Sequence, residues 1–184
     1  VSEFLFWLDI LNSKLFKSRE GKIFYYQLVE KASVILDVKK NEVYLANESG
    51  IITFDLNLNT IERVSYTPSI YGPDVYRSND GLKLKENLYI YGVMRNKPVK
   101  GDGALVLSQN GVSRIVYEGI SIPNTFIKIP NCNSLLITDS FDGVVYKMNF
   151  INSWSSVQGV EKWFDLSHTR TTPDGGCISS GGRI

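Results

Sequence analysis

Short apolar runs separated by polar turns dominate the chain. The runs are rich in β-branched and aromatic residues, which favour strands. They are VYLA at 43–46, IITF at 51–54, ALVL at 104–107, LLIT at 135–138 and VVYKM at 144–148. Helical periodicity is weak, because the best candidate, residues 154–164, is short and is interrupted by Gly159. The pattern predicts a nearly all-β protein.

Two of the predicted turns join neighbouring strands into hairpins. Gly50 ends the turn Glu-Ser-Gly, and Gly143 ends the turn Phe-Asp-Gly. Glycine adopts positive φ at little steric cost, while Ser and Asp hydrogen-bond to their own backbone. Each repeating unit of the chain is therefore predicted to contain at least one hairpin.

The hairpins recur at a regular interval. Trp7, Tyr44, Tyr89 and Leu136 occupy equivalent points, which gives spacings of 37, 45 and 47 residues. These spacings are near the roughly 40 to 50 residues of a propeller blade. The sequence predicts that residues 1–184 form a single β-propeller domain or a fragment of one. About four blades are expected, starting within the first and ending where a fifth begins, at Gly-Gly-Arg-Ile.

An incomplete ring has a physical consequence. A blade cannot bury both faces alone and must stack on its neighbours around an axis. A ring that does not close exposes strand edges, so self-association is expected if the chain forms only part of a ring.

Composition and charge limit the kinds of molecule that the protein is expected to bind. Twenty Lys and Arg balance nineteen Asp and Glu, which leaves a formal charge of +1 without charged blocks. Bulk attraction to nucleic acid or to a membrane surface is therefore not expected, and no apolar stretch has the length of a membrane span. The two cysteines, Cys132 and Cys177, are too few for a disulfide framework. A cytoplasmic protein with reduced thiols is expected.

Three polar motifs carry the candidate chemistry. They contain Asn79 in RSNDG, Asn124 in IPN and Asp174 in PDG. Each alone is typical of a turn, but all three are predicted to occupy the same point, immediately before the first strand of successive repeats. In a propeller such points converge on the axis. Amide and carboxylate oxygens suit calcium, magnesium or manganese, so the pattern predicts a metal site there.

The ordered set of motifs adds a resemblance. RSNDG, GVM, GALVL, IPN, LLITDS and PDG follow one another along the chain. This series resembles the senescence marker protein, gluconolactonase and luciferin-regenerating enzyme family. The resemblance covers essentially the whole chain and implies a six-bladed β-propeller, incomplete here.

The resemblance also implies roles for individual residues. Asn124 and Asp174 would bind a divalent metal, with calcium favoured and zinc, manganese and magnesium left open. Asp174 would also act as general base, and Arg77 and Asn79 would bind the substrate. A third ligand, a Glu, is expected before residue 1. One departure is Thr125, which follows Asn124 where the family usually has Gly and is expected to crowd the turn.

The implied function is metal-dependent hydrolysis of a lactone. A sugar lactone is the first expectation, because Arg77 and Asn79 are polar, and aryl esters and bulky apolar lactones are the other candidates. Two alternatives stand beside it. One is a non-catalytic propeller that binds a ligand or handles calcium, and the other is an inactive truncated copy.

Overall fold

Antiparallel sheets account for nearly all regular structure in the computed structural model, which describes residues 4–151, 154–169, 171–179 and 181–182. Within these residues the chain forms four sheets and one 3-10 turn, Ser69–Tyr71. The weak helix candidate is a strand, Ser156–Asp165. The predicted all-β class is confirmed, and the end of the presumed fifth repeat, Arg183 and Ile184, lies outside the described residues.

The strands pair in chain order within each sheet, as in a meander. The first sheet has three strands, β1 (Leu5–Asp9), β2 (Lys14–Arg19) and β3 (Lys22–Gln27). The second contains β4 (Ala32–Lys39), β5 (Glu42–Asn47), β6 (Gly50–Asp55) and β7 (Thr60–Tyr66). The third contains β8 (Tyr76–Lys85), β9 (Leu88–Arg95), β10 (Gly103–Gln109) and β11 (Val112–Ile120). The fourth contains β12 (Pro123–Lys128), β13 (Ser134–Asp139), β14 (Val144–Ile151) and β15 (Ser156–Asp165).

The repeat found in the sequence corresponds to the second strand of each four-stranded sheet. Tyr44, Tyr89 and Leu136 lie on β5, β9 and β13, and Trp7 lies on β1. Strand β1 is thus the counterpart of β5, and in the described part of the chain the first sheet lacks a counterpart of β4. The hairpin turns are confirmed, because Gly50 has φ 142° and Gly143 has φ 68°.

The hydrophobic core is divided among the interfaces between successive sheets. Burial alternates along β4, where Ala32, Val34 and Leu36 are buried and the residues between them are partly exposed. Strand β9 is buried at every residue except its last. Three separate apolar clusters result, one for each pair of neighbouring sheets, and each sheet therefore depends on the next for burial of its faces.

Hydrogen bonds between side chains also join the sheets. Ser33 Oγ donates to Ser78 Oγ at 2.7 Å, and Ser108 Oγ donates to Ser65 Oγ at 2.8 Å. These four serines lie on strands of the second and third sheets. Because both members of the second pair are buried, this bond helps to fix the position of the second sheet relative to the third.

The first strands of the sheets lie side by side at the inner edge of the ring. Strand β8 contacts β4 on one side and β12 on the other. Residues at the start of β8 and β12 are thereby brought to one end of the assembly. No helix in the described ranges is both long and apolar enough to cross a membrane.

Candidate metal centre

Two of the polar motifs lie inside innermost strands, which corrects the prediction that they precede the first strands as turns. Asn79 is part of β8 and Asn124 is part of β12. Each motif coincides with a β-bulge, where the pairing register shifts between Ser78 and Gly81 and between Asn124 and Ile127. A β-bulge is formed by the same residue types as a turn, but the strand continues through it and the direction of its side chains changes. Asp174 lies in a segment without regular pairing.

Arg77 and Asn79 form a direct pair at the start of β8. Arg77 Nη1 donates to Asn79 Oδ1 and to the carbonyl of Ser78, both at 2.8 Å. Burial lowers the pKa of the Arg77 guanidinium, and the charge of Glu48 acts in the opposite direction. Arginine keeps its charge in proteins, so the site contains a half-buried cation whose remaining N–H groups have no acceptor among the described residues.

Asn79 connects the third sheet to the fourth. Its Nδ2 donates to the carbonyl of Pro123 at 3.0 Å while its Oδ1 accepts from Arg77. Among the described residues, one N–H and one lone pair of the amide have no further partner and could bind a ligand. The structure therefore brings Arg77 and Asn79 together, and contact with a substrate stays a prediction.

Asn124 is buried and held by its amide nitrogen. Asn124 Nδ2 donates to Ser140 Oγ at 2.9 Å, and Ser140 Oγ donates to the carbonyl of Pro173 at 2.5 Å. Because the nitrogen end of the amide is engaged, its oxygen is the end that could accept a cation. The same serine holds the residue preceding Asp174, which ties the second predicted ligand to the first.

Thr125 makes the other connection to Asp174. Its Oγ1 donates to the backbone carbonyl of Asp174. Thr125 has φ 56°, a conformation that costs a β-branched residue about 1–3 kcal/mol. A Cβ on Gly176 would lie 2.7 Å from Thr125 Cγ2, so the segment that contains Gly176 packs tightly against Thr125. The crowding expected from Thr125 is present and is accommodated by this glycine.

Asp80 belongs to the cluster but was not singled out in the sequence. Its Oδ1 accepts the backbone N–H of Gly81 at 2.8 Å. Burial raises the pKa of Asp80, nearby backbone N–H groups lower it, and the charge of Asp174 raises it. The signal that could have identified Asp80 is its place directly after Asn79 in the RSNDG motif.

Asp139 is a second carboxylate that sequence reasoning passed over, although it lies in the LLITDS motif. It is 2% exposed and accepts the backbone N–H groups of Ser121 at 2.7 Å, Ile122 at 3.1 Å and Phe141 at 3.1 Å. Ser121 and Ile122 lead directly into Pro123 at the start of β12. Asp139 thus fixes the approach of the chain to Asn124.

The donor set fits a cation that prefers oxygen ligands. Asn124 offers an amide oxygen and Asp174 a carboxylate, both suited to calcium. Calcium takes about six to eight oxygens, so further ligands must come from water, substrate or other protein groups. Within the ranges that the structure describes, no group of three or more His, Cys, Asp or Glu is placed to hold a metal ion. The Glu expected before residue 1 and Glu3 both lie outside those ranges.

The strand arrangement and this cluster together define a class of protein, the β-propellers with a polar site at one end of their innermost strands. The chain belongs to the SMP-30/gluconolactonase/LRE-like family, whose model matches residues 2–184. The family resemblance found in the motifs is thereby confirmed, and the four sheets are part of a six-bladed type of propeller.

Solved structures share this fold at low sequence identity. A calcium-binding protein, regucalcin from Agrobacterium tumefaciens strain C58, is 20% identical with a TM-score of 0.89, and a luciferin-regenerating enzyme is 18% identical with a TM-score of 0.85. A gluconolactonase from Xanthomonas campestris is 11% identical with a TM-score of 0.74. Each alignment covers 98% of this chain but only 62% of the first protein and 64% of the other two. No curated protein sequence matches this chain.

Proposed function

We propose that the protein is a metal-dependent hydrolase of lactones. The observation that carries the proposal is the convergence of Asn124, Asp174, Arg77 and Asn79 at one end of the innermost strands, through the contacts of Pro123, Ser140 and Thr125. Membership of the gluconolactonase-like family supports the same reaction class. Because the chain spans under two thirds of the first three solved relatives, the activity of the whole ring is part of the proposal.

Asn124 and Asp174 would hold the metal in this proposal. A divalent cation held by these residues would supply a positive charge that polarises the lactone carbonyl and stabilises the charge developing on its oxygen. The hydroxyls of Ser140 and Thr125 bond to the backbone carbonyls of Pro173 and Asp174, which limits the movement of the Asp174 segment. The backbone at Asp174 is therefore held against β12, and its carboxylate oxygens are not used in that attachment.

We assign to Asp174 the transfer of a proton from the attacking water. An ionised carboxylate accepts a proton from the attacking water as the water adds to the carbonyl carbon, and it can return the proton to the ring oxygen that leaves. The Asp174 side chain is exposed, so water reaches it. Its neighbour Asp80 is less exposed and accepts the backbone N–H of Gly81, so Asp174 is the carboxylate of the pair that we assign as base.

Arg77 and Asn79 are assigned to the substrate. The guanidinium presents fixed N–H donors beyond the two bonds that it makes within β8, and a hydroxylated lactone offers matching acceptors. This favours a sugar lactone over an apolar one. Binding through a planar fork orients the ring, and orientation of the carbonyl toward Asp174 is the expected result.

The direct test is hydrolysis measured by acid release in a pH-stat. Five- and six-membered sugar lactones, an apolar lactone and an aryl ester are offered to protein that has been stripped of metal and then loaded with calcium, zinc, manganese or magnesium. Turnover that requires the metal and prefers a sugar lactone is expected. Metal-independent turnover, or none with any substrate, contradicts the proposal.

A calcium-handling module is the second candidate. One solved relative at 20% identity is described as a calcium-binding protein. Saturable calcium binding in the absence of any turnover would favour this function over hydrolysis.

Replacing Arg77 by lysine separates substrate binding from metal binding. Lysine keeps the charge but loses the planar fork, so KM is expected to rise about tenfold while the calcium affinity stays unchanged. Steady-state kinetics and calcium titration measure the two effects. The matched control is Arg63→Lys, because Arg63 also donates to an asparagine, Asn47 at 3.1 Å, but lies on the outer strand β7. An unchanged KM in Arg77→Lys contradicts the role in substrate binding.

A further inference from the structure

The hydroxyl of Ser140 connects the two segments that carry the predicted metal ligands. Ser140 follows the last residue of β13 and is 6% exposed. Asn124 Nδ2 donates to Ser140 Oγ at 2.9 Å, and Ser140 Oγ donates to the carbonyl of Pro173 at 2.5 Å. A single buried side chain thus contacts Asn124 directly and the residue that precedes Asp174.

The chemistry of these partners decides which way the Asn124 amide points. A carbonyl can only accept a hydrogen bond, so the single proton of the Ser140 hydroxyl goes to Pro173. Toward Asn124 the hydroxyl oxygen can then only accept, and the asparagine must present its NH2 group, because its oxygen has no proton to donate. Asn124 Oδ1 is the end directed away from Ser140, and it has no hydrogen-bond partner among the described residues.

The backbone around Ser140 holds this hydroxyl in place. The N–H of Ser140 donates to the carbonyl of Ile122 at 3.0 Å, and the N–H of Phe141 donates to Asp139 Oδ1 at 3.1 Å. The same carboxylate oxygen accepts the N–H of Ile122 at 3.1 Å. The turn after β13 is therefore fastened to the segment that leads into β12, where Asn124 lies. Hydroxyl and amide are held at hydrogen-bond distance in the absence of a ligand.

We propose that Ser140 is a positioning residue of the candidate metal centre, because its hydroxyl selects the orientation in which the oxygen of the Asn124 amide faces the ion. A cation is bound by an amide oxygen and repelled by an amide NH2 group, so an asparagine turned the other way would no longer be a ligand. The inference rests on the proposed function for the ion itself. The orientation of the amide does not depend on any metal.

The first test needs neither metal nor a substitution. In NMR spectra of the metal-free protein, the Asn124 Nδ2 protons should show strong nuclear Overhauser effects to the β-protons of Ser140. Their exchange with solvent should be about tenfold or more slower than that of the exposed Asn57 side chain, because the NH2 group is bonded to a buried oxygen. Exchange as fast as that of Asn57 overturns the inference.

The second test is Ser140→Ala, which removes the hydroxyl and leaves the Asn124 amide free to rotate. Removing a group that orients a metal ligand costs about 10–100-fold in metal affinity, so the calcium dissociation constant measured by calorimetry should rise about tenfold or more. Exchange of the Asn124 side-chain amide in the metal-free variant should accelerate by about tenfold or more. This second readout follows the amide itself, and a general loss of stability does not reproduce it at one side chain.

The matched control is Ser134→Ala. Ser134 is also 6% exposed, and its Oγ also bonds to an asparagine, Asn149 Oδ1 at 2.7 Å, but it lies at the opposite end of β13. Denaturant unfolding compares the stability of the two variants. The control should lose stability to a similar extent and keep the calcium affinity and the Asn124 exchange rate of the unsubstituted protein.

The outcomes separate this inference from the proposed function. If calcium binds and Ser140→Ala binds it as tightly as the unsubstituted protein, or if Ser134→Ala loses as much affinity, Ser140 does not position the ligand. If the unsubstituted protein takes up no calcium, the metal centre fails together with the proposed function, and the amide measurements alone decide whether Ser140 orients Asn124. If Ser140→Ala does not fold, the spectra of the unsubstituted protein decide the same question.

Discussion

Asp174→Ala is expected to reduce calcium affinity by about a hundredfold or more and lactone turnover by roughly a thousandfold or more. The substitution removes the proposed charged metal ligand and the proposed base together, and general-base catalysis alone contributes about 10²–10⁴ in rate. The fold should persist, because the side chain is exposed and the backbone carbonyl that Thr125 holds remains. Calorimetric titration, pH-stat kinetics and a thermal melt measure the three quantities.

The control for this experiment is Asp142→Ala. Asp142 follows the Ser140 region in the turn between β13 and β14, and its carboxylate pairs with Lys100 Nζ at 2.9 Å. The Asp142→Ala substitution removes one negative charge without removing a predicted metal ligand. Equal losses in both variants would mean that local charge, and not ligation by Asp174, accounts for calcium binding. Retained turnover in Asp174→Ala would contradict its assignment as base.

Gly92→Ala, on the neighbouring strand β9, is expected to weaken calcium binding at the candidate site. A Cβ at Gly92 would lie 2.2 Å from Cγ and 2.4 Å from Cβ of Pro123. The ring of Pro123 cannot move without displacing its carbonyl, which accepts from Asn79, and the adjacent Asn124. Overpacking of this kind costs about 1–3 kcal/mol in the free energy of unfolding. Calcium affinity should fall about tenfold, because a ligand shell tolerates displacements of only about 0.5 Å.

Gly159→Ala is the matched control, since a Cβ there meets nothing within 4 Å. Its free energy of unfolding should change by less than about 0.5 kcal/mol, as for other surface substitutions. Denaturant unfolding and calcium titration of both variants make the comparison. If Gly92→Ala proves as stable as Gly159→Ala and binds calcium equally well, the close approach of β9 to Pro123 does not constrain the site.

The strands were predictable because the strand preference of each apolar run agrees with its burial in the folded protein. Runs such as LLIT are apolar on both faces, and β13 is buried throughout. Gly50 and Gly143 lie at the hairpin turns that their freedom in φ suggested. The repeat spacing predicted stacked sheets, although it marked the second strand of each unit rather than the innermost one.

The convergence of the candidate residues was predictable from the sequence, but the contacts that connect them were not, and their roles stay predictions. Asn79, Asn124 and Asp174 are separated by about fifty residues each and meet only through tertiary contacts. Asn-Asp-Gly is suited to both turns and bulges, so the sequence could not show that Asn79 reaches the carbonyl of Pro123 in another sheet. The role of Gly92 in GVM likewise depends on Pro123, a partner that no local pattern identifies.

The division between inner and outer strands predicts how the protein tolerates sequence change. The residues assigned to the site lie on or beside the innermost strands, whereas β15 is largely open to solvent along its length. A saturation library over β15 should therefore yield mostly folded, metal-competent variants, while the same library over Pro123–Lys128 should yield few. The periphery of each blade is the place where new surface properties can accumulate without disturbing the innermost strands.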